Sequence, residues 1–156
     1  MMDIRKFADN DASFASGLIK KCFNTMDQGG HTEEGKNLQI EHNSPEKLIK
    51  RAKAVRYFVA WETDRVIGIC GYDRYKVQTL FVDVDFQKRG VGTALLNKIL
   101  LEAVNEGLTN LKTWATFYSE GFYSKSGFEK TGEIHLPEGR SDIILIEMKC
   151  DLSKLN

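Results

Sequence analysis

Two glycines and two cations stand in the segment QKRGVGT (residues 87–93), where a strand-like run gives way to a helix-like one. The first turn of a helix carries backbone N–H groups without internal partners and a partial positive charge, so it attracts anions. Glycines at positions 90 and 92 let these N–H groups converge and remove side chains that would keep a ligand away. Lys88 and Arg89 add flexible positive charges. The segment, called the glycine turn below, therefore has the composition of a diphosphate site.

The glycine turn also has a simpler interpretation, in which Gly90 and Gly92 only allow a tight reversal between a strand and a helix. The turn lacks the G-x-x-x-x-G-K-[ST] pattern of the P-loop, and it lacks the third glycine of the dinucleotide-binding fingerprint. Two glycines alone do not decide between a packing turn and an anion site, so the elements around the turn must decide.

The elements around the glycine turn predict one parallel step in a sheet. VQTLFV (residues 77–82) is strand-like, and after the turn the apolar period changes from 2 to 3.6, which predicts a long helix with a wide apolar face, ended by Gly107. LKTWAT then returns as a strand, and this strand, helix, strand order predicts a right-handed parallel crossover. The two apolar stripes of the helix are Val91, Leu95, Ile99 and Ala103, and Leu96, Leu100 and Val104.

The rest of the chain predicts an α+β fold with a mixed sheet. Residues 27–43, with their glycines and charges, predict a long loop with one short helical turn at most, and Ser44 followed by Pro45 predicts a helix start. The predicted order is strand IRKF, a helix over residues 12–23, the long loop, helix SPEKLIKRAKA, a hairpin of RYFVAW and RVIGICGY joined by ETD, strand VQTLFV, the long helix, strand LKTWAT, the short helix SEGFYSKS, and a closing antiparallel pair, GFEKTGEIHL and SDIILIEMKC.

Length and charge limit the classes of protein that the chain fits. Its 156 residues predict one domain, residues 1–156, and 42% apolar with 28% charged residues predict a globular fold. Twenty-two basic residues balance twenty-two acidic ones. A balanced chain lacks the positive field that holds nucleic acid, so we expect no nucleic-acid partner.

The cysteines and the amino terminus predict a cytoplasmic location. Cys22, Cys70 and Cys150 are few and far apart, which gives neither a disulfide framework nor a metal-binding spacing. Cys70, inside VIGICGY, is expected to be a small buried apolar residue. His135 is isolated in a strand, so we expect no metal. The first residues lack the apolar core of a signal peptide, and no apolar run is long enough for a membrane span.

Two motifs together resemble a known family. The pattern V-x-x-x-x-Q-x-x-G-x-G from Val82 to Gly92, followed by an apolar helix, resembles the acyl-CoA-binding segment of the GNAT superfamily of N-acetyltransferases. About thirty residues later, GFYSKSGFEK resembles the F-Y-x-x-x-G-F motif of the same family. The predicted order of elements also matches. The resemblance implies a GNAT fold: a mostly antiparallel central sheet with one parallel strand pair splayed to bind acyl-CoA, and helices on both faces.

The resemblance implies acetyl-CoA as co-substrate and a set of residues that bind it. The pantetheine arm lies between the splayed strands and pairs with backbone at the positions of Leu80 and Val82, while the glycine turn binds the diphosphate. Thr116 stands where many members carry an asparagine that touches pantetheine, and Ser119 stands where many carry alanine. The implied cofactor-binding residues are Leu80, Phe81, Val82, Lys88, Arg89, Gly90, Val91, Gly92, Thr93 and Thr116.

The resemblance also implies direct attack of an amine on the acetyl thioester, with two catalytic groups. The Val82 N–H would polarise the thioester carbonyl, and the Tyr123 phenol would protonate the departing thiolate. The alternative interpretation of Tyr123 is a ring packed between Phe122 and Phe128.

No residue is an obvious base for the amine proton, because KVQTLFV has no carboxylate. Glu62, Asp73, Asp83 and Asp85 are near in sequence, but salt bridges or turns explain them, and a chain of water molecules could serve instead. Acceptor specificity is expected from residues 27–43 and from the turn LPEGRS (residues 136–141). In the first segment, His31, Glu33, Glu34, Glu41 and His42 could hold a cationic amine or could be a solvated face.

The function expected from these features is direct transfer of acetyl from acetyl-CoA to a primary amine of a small molecule or of a protein. The expected partners are that acceptor and no membrane, and the family resemblance is also compatible with a homodimer. A regulatory module that binds acyl-CoA without catalysis is the alternative function.

Overall fold

Seven strands form one mixed sheet in the computed structural model, which describes residues 2–137 and 140–155. The strand order across the sheet is β1-β2-β3-β4-β5-β7-β6, and β4 and β5 form its parallel pair. The mixed sheet with one parallel step agrees with the prediction. The strands are β1 (Asp3–Lys6), β2 (Arg56–Glu62), β3 (Arg65–Tyr72), β4 (Lys76–Val82), β5 (Asn110–Ala115), β6 (Phe128–Leu136) and β7 (Ile143–Asp151).

The β2–β3 hairpin closes through two residues with left-handed backbone. Thr63 and Asp64 have φ of 52° and 60°. Positive φ at both central residues matches the right-handed twist of the flanking strands, which is why such turns connect hairpins. The predicted hairpin is thereby confirmed, and Cys70 on β3 is fully buried, as predicted.

The parallel strands separate soon after they meet. β4 and β5 pair only at Lys76 with Lys112 and at Val77 with Thr113. Beyond these pairs β4 carries a bulge, because its register against β3 shifts and Thr79 has a φ of 57°. A bulge bends its strand and ends regular pairing. The point of separation is called the fork below, and it confirms the predicted splayed pair.

Helices cover both faces of the sheet. On one face, the apolar side of α4 packs against β2, β3 and β4, and Leu95, Leu96 and Ile99 are completely buried. Val104, predicted on that side, is 37% exposed because it lies at the edge of the stripe. No helix within the described residues is long and apolar enough to cross a membrane. The helices are α1 (Ala12–Thr25), α2 (Glu33–His42), α3 (Pro45–Arg51), α4 (Val91–Asn105) and α5 (Glu120–Lys125).

The prediction of a long loop over residues 27–43 is wrong, because α2 occupies residues 33–42. Thr32 caps this helix through a hydrogen bond from the Gly35 N–H to its side chain (3.0 Å). Gly35 packs against the segment that leads into β7, where a Cβ atom would collide with the carbonyl oxygen of Asp142. The helix has little apolar periodicity of its own, so tertiary docking stabilises it.

Candidate active site

A groove with a volume of about 1130 Å³ opens at the fork and continues past the glycine turn. This volume exceeds what one drug-sized ligand usually needs, so the groove has room for a long cofactor and a second molecule. Ten of the eleven residues predicted for the site line it: Leu80, Phe81, Val82, Lys88, Gly90, Val91, Gly92, Thr93, Thr116 and Tyr123.

The glycine turn presents free amide groups to one end of the groove, called the cofactor end. Gly90 precedes α4 with a left-handed φ of 81°, and Lys88 before it also has positive φ (62°). The first internal bond of the helix runs from the Ala94 N–H to the Gly90 carbonyl (3.0 Å). The N–H groups at positions 91 to 93 precede it and lack partners within the helix, so they can donate hydrogen bonds to an anion.

Gly92 keeps this amide surface open. A Cβ atom built on Gly92 would lie 3.5 Å from the ring of Phe122 and 3.6 Å from the Val82 side chain, which is ordinary van der Waals contact. A longer side chain has no room beyond these two neighbours except into the groove. The fold thus has room for a small side chain at this position, and glycine leaves the N–H groups accessible to an anion.

The two cations of the glycine turn point in different directions. Lys88 lines the groove. The guanidinium of Arg89 instead lies 3.2 Å from a carboxylate oxygen of Glu62 and 5.1 Å from the ring centre of Phe86, and Arg89 does not line the groove. Arg89 as a side-chain contact for phosphate stays a prediction, and in this structure its guanidinium pairs with Glu62. Its backbone stays part of the turn.

The backbone of Val82 faces the groove. The N–H of Asp83 donates to the Ile67 carbonyl on β3 (2.8 Å), and successive residues of a strand direct their backbone groups to opposite sides, so those of Val82 point away from β3. The Val82 carbonyl is held by Gln87 Nε2 (3.1 Å) and by the Cys22 thiol (3.2 Å). Burial raises the pKa of Cys22 to about 12, so the thiol remains a donor.

The two residues before Val82 contribute differently to the groove. Leu80 lies in the bulge, has no register partner on β3 and lines the groove. Phe81 pairs with Ile69 on β3, and its ring packs against Phe23 with ring centres 5.4 Å apart. Phe81 therefore offers the groove its side chain rather than its backbone.

Tyr123 lies under the fork with only 4% of its surface exposed. Its ring centre is 5.4 Å from that of Phe122 and 5.2 Å from that of Phe128. Burial raises the pKa of the phenol above its usual range, so the group stays protonated at neutral pH. The geometry therefore accommodates both predicted interpretations, a packed ring and a neutral proton donor beside the groove.

Thr116 and Ser119 form one small turn at the entrance of α5. Their hydroxyl oxygens are 3.0 Å apart, and the Ser119 N–H donates to the Thr116 hydroxyl (3.2 Å). Both line the groove. The two departures from the family pattern thus lie together, and a hydroxyl can still donate to or accept from a bound ligand.

The carboxylates near β4 are occupied in structural contacts. Asp73 accepts hydrogen bonds from the turn that begins β4, and Glu62 pairs with Arg89. Asp83 is buried, and its carboxylate forms salt bridges with Lys21 (3.1 Å) and Arg65 (2.6 Å). Burial opposes its ionisation, but hydrogen bonds from the Asp85 N–H and Lys21 outweigh burial and hold the pKa of Asp83 below its usual value. Asp85 binds Lys21 as well (2.6 Å).

The acids of residues 27–43 pair with cations, as a solvated face would. Glu33 lies 3.2 Å from Lys36, and Glu34 lies 2.9 Å from Arg140. Glu41 lines the groove but lies 3.7 Å from the ammonium of Lys47. His31 packs its ring against Phe23, away from the groove lining. The second segment expected to contact the acceptor is the LPEGRS turn, and its residues 138 and 139 lie outside the described residues.

His42 lines the groove but is bound in a way that removes it as a base. Arg51 Nη1 lies 3.1 Å from His42 Nε2, and a guanidinium has only donors, so Nε2 must be the unprotonated acceptor. Burial and the neighbouring cations Arg51, Lys47 and Lys76 lower the pKa of His42. The imidazole is neutral, yet its lone pair is already used.

Sequence reasoning missed a contact that crosses the fork. The ammonium of Lys76 on β4 sits 3.3 Å from the ring centre of Trp114 on β5, and both residues line the groove. The parallel register pairs Lys76 with Lys112. Trp114 is two residues after Lys112 and therefore lies on the same face of the sheet as Lys76. No spacing in the sequence signals this pair.

A sheet forked at a bulge, with a glycine-capped helix beside the gap, is the arrangement that the resemblance to the GNAT acyltransferases implied. Residues 25–152 match the family described as the acetyltransferase (GNAT) domain. The chain belongs to the GNAT acetyltransferase family.

Known proteins similar to the chain agree with this family. An uncharacterized N-acetyltransferase of Methanocaldococcus jannaschii is 34% identical over 76 residues, which is 47% of this chain and 34% of that protein. The match thus spans about a third of that relative's length. A GCN5-related N-acetyltransferase from Rhodopseudomonas palustris superposes with a TM-score of 0.86 at 16% identity, covering 96% of this chain and 94% of that one.

A second solved structure, the PaiA N-acetyltransferase from Thermoplasma acidophilum in complex with coenzyme A, superposes with a TM-score of 0.79 at 19% identity. The superposition covers 97% of this chain and 99% of that chain. At this identity the likeness shows the fold, which is the GNAT fold that the sequence predicted.

Proposed function

We propose that the protein transfers acetyl from acetyl-CoA to a primary amine of a small molecule or of a protein. The observation that carries this proposal is the continuous groove that joins the open fork to the amide groups at the start of α4, with Tyr123 beside it. The names of the relatives support it, and one structural neighbour binds coenzyme A.

The residues of the cofactor end suit a diphosphate and a pantetheine arm. The N–H groups of Val91, Gly92 and Thr93 would bind the diphosphate, each at about 1.5 to 3 kcal/mol for a charge-assisted bond, with Lys88 adding its charge. The backbone of Leu80 and Val82 would pair with the amides of the arm as a strand pairs with its neighbour. The Thr116 hydroxyl is placed to contact the arm.

The proposed transfer is a direct displacement. The amine nitrogen attacks the carbonyl carbon of the thioester, a C–N bond forms, and the C–S bond breaks. The Val82 N–H donates to the oxyanion that develops on the carbonyl oxygen, and a donor already fixed in place favours the transition state. The Tyr123 phenol gives its proton to the departing sulfur and regains one from solvent. No covalent enzyme intermediate forms.

The proton that the acceptor ammonium must lose goes to water in this proposal. Among the described residues, the acids near β4 are held by cations or turn amides, and the His42 lone pair is held by Arg51. Within the same residues, no group of three or more His, Cys, Asp or Glu is placed to hold a metal ion. Solvent in the wide groove is the remaining acceptor of the proton.

A module that binds acyl-CoA without catalysis is the second candidate function, and the lack of an available carboxylate favours it. A single experiment separates the two functions. Calorimetry measures acetyl-CoA binding, and release of the CoA thiol is followed with polyamines, amino acids, aminoglycosides and peptide amino termini. Binding with amine-dependent thiol release supports the transferase, whereas binding without release for every amine supports the module.

A single domain over residues 1–156, a cytoplasmic location and a homodimer also remain proposals.

A further inference from the structure

The groove has a second end, called the acceptor end, on the side of the fork that faces α2. The end of α2, the beginning of β4 and residue Trp114 enclose it, and residues at both ends of the β6–β7 connection close its far side. Its lining combines polar side chains of α2 and β4 with a set of apolar ones. The apolar side chains that line it are Leu38, Trp114, Leu136, Pro137, Ile143 and Leu145.

Lys76 places a positive charge beside these apolar side chains. Its side chain crosses the fork to lie over Trp114, and the residue is only partly exposed. Burial lowers the pKa of its ammonium. A cation over an aromatic face is stabilised by the ring, but the ring does not neutralise its charge.

No carboxylate among residues 2–137 and 140–155 forms an ion pair with Lys76. The two acids close enough to act on its charge are Asp73 and Glu147. Asp73 Oδ2 accepts from Gln78 Nε2 (2.6 Å), and Glu147 Oε1 accepts from the Thr131 hydroxyl (3.0 Å). A partly buried cation in a wide groove, with no ion-pair partner among the described residues, leaves a position for an anion from outside.

The other charged side chains that line the acceptor end also favour an anion over a cation. Glu41 is the one Asp or Glu that lines the groove within the described residues, and it pairs with Lys47. Among the described residues that line the groove, a polyamine or another polycation would meet Lys47 and Lys76 and no carboxylate without a cation, and like charges brought together cost free energy. The groove therefore disfavours polycationic acceptors.

We propose that Lys76 binds a carboxylate of the acceptor, which is an amine with an apolar body, such as an apolar amino acid. This inference rests on the proposed acetyl transfer. One ammonium matches one negative charge, whereas a phosphate group carries almost two and usually recruits several cations. The apolar side chains around Trp114 would contact the body of the acceptor. The nearby cation would also lower the pKa of the acceptor's ammonium and so favour the neutral amine.

Acceptors that differ only in the carboxylate test the proposal. Phenylalanine is compared with phenethylamine, which lacks the carboxylate, and with phenylalaninamide, which lacks the charge. We expect Lys76→Gln to raise KM for phenylalanine by about tenfold or more, the value of one charge-assisted contact, and to change KM for the other two little. Lys76→Glu should reverse the preference, and Lys76→Arg should retain it. Equal changes for all three acceptors in both variants would overturn the proposal.

A control and a binding measurement separate this inference from the proposed function. Lys112→Gln removes a cation of the paired strand outside the groove lining and should leave the preference unchanged. Calorimetry with N-acetylphenylalanine and CoA measures binding of the carboxylate without turnover. Binding that Lys76→Gln weakens about tenfold supports the inference even if no amine is acetylated, in which case only the transferase proposal fails. Binding that is absent in the unaltered protein, or unaffected by Lys76→Gln and Lys76→Glu, overturns the inference.

Discussion

Gln87 Nε2 donates a hydrogen bond to the carbonyl oxygen of Val82 across 3.1 Å. The other amide atom of Gln87, Oε1, accepts from the hydroxyl of Tyr118 (2.9 Å). The glutamine thereby connects the end of β4 to the segment between β5 and α5, which are opposite walls of the groove. This contact fixes the strand end that supplies the proposed oxyanion donor, the N–H of Val82.

The variant Gln87→Leu tests this positioning. Leucine keeps a similar volume but cannot donate to the Val82 carbonyl, so the strand end should become less well fixed. We expect kcat to fall by roughly tenfold while KM for acetyl-CoA changes less, because the lost order matters most when charge develops on the thioester oxygen. Steady-state kinetics that determines kcat and KM separately measures both changes. Gln87→Glu cannot donate either, and activity close to normal in both variants would contradict the role.

The variant Gly92→Gln should strongly weaken binding of acetyl-CoA. The new side chain must extend past Phe122 and Val82 into the groove, where it blocks the amide groups of the glycine turn. We expect at least about a tenfold loss of affinity, the loss of a single charge-assisted bond, measured by calorimetry. Gly17→Gln on α1 is the matched control, because that glycine is exposed and has open space around it. Unchanged affinity in a folded Gly92→Gln protein would make the segment a packing turn only.

Lys88→Ala should weaken CoA several-fold, and Arg89→Ala should weaken it less. Lys88 lines the groove, whereas the Arg89 guanidinium is engaged by Glu62. The Lys88 effect should shrink as ionic strength rises, since exposed charges are screened over about 8 Å at physiological salt. Calorimetry at low and high salt, repeated with a thioester that lacks the nucleotide, checks both points. Larger losses for Arg89→Ala would show that its guanidinium turns into the groove on binding.

Tyr123→Phe removes one oxygen and keeps the ring between Phe122 and Phe128. If the phenol protonates the departing sulfur, kcat should fall by roughly 10² to 10⁴ while acetyl-CoA affinity changes little. Because burial raises the pKa of the phenol, this group should not cause a loss of activity at mildly alkaline pH. Single-turnover acetyl transfer and thermal unfolding are the measurements. A variant with normal transfer would leave Tyr123 as a packing residue.

Asp83→Asn should destabilise the fold by about 1 to 3 kcal/mol near neutral pH, because Lys21 and Arg65 lose a buried carboxylate. The pKa of Asp83 is lowered in the folded state, so its contribution is complete above the unfolded value and is lost as pH falls through the folded value. The difference between the two proteins should therefore shrink below about pH 4. Urea unfolding across this range measures it, and a difference that persists in acid would contradict the assignment.

The parts of the fold that sequence predicted are those with strong local signals. The change of apolar period on either side of the glycine turn predicted β4, α4 and β5, and the resemblance to the family implied the splayed pair. The helix α2 was missed because Leu38 and Ile40 give it little apolar periodicity, and its stability depends on contacts such as that of Gly35 with Asp142.

The site was predictable where backbone geometry decides it and less so where long side chains do. The glycines at 90 and 92 fit both a packing turn and an anion site, and it was the elements around them and the family resemblance that selected the turn as the candidate site. Arg89 could point to either side of its turn, and Glu62, 27 residues away, determines the side that it takes. Whether Tyr123 is catalytic depends on a proton transfer, which the fold accommodates and kinetics must test.

The fork divides the seven strands into two half-sheets, β1 to β4 and β5, β7 and β6. Next to the fork, their backbones pair at Lys76 and Val77, and the Lys112 N–H donates to the Tyr75 carbonyl (2.9 Å). A pantetheine arm paired with Leu80 and Val82 would connect the two half-sheets by additional hydrogen bonds. The sheet should therefore become more rigid as the fraction of protein with bound CoA rises. Free ligand at 100 times its Kd would add about 2.7 kcal/mol to the free energy of unfolding. Amide hydrogen exchange in β5 should then slow with CoA concentration, and the separation of the half-sheets should become the step that releases product.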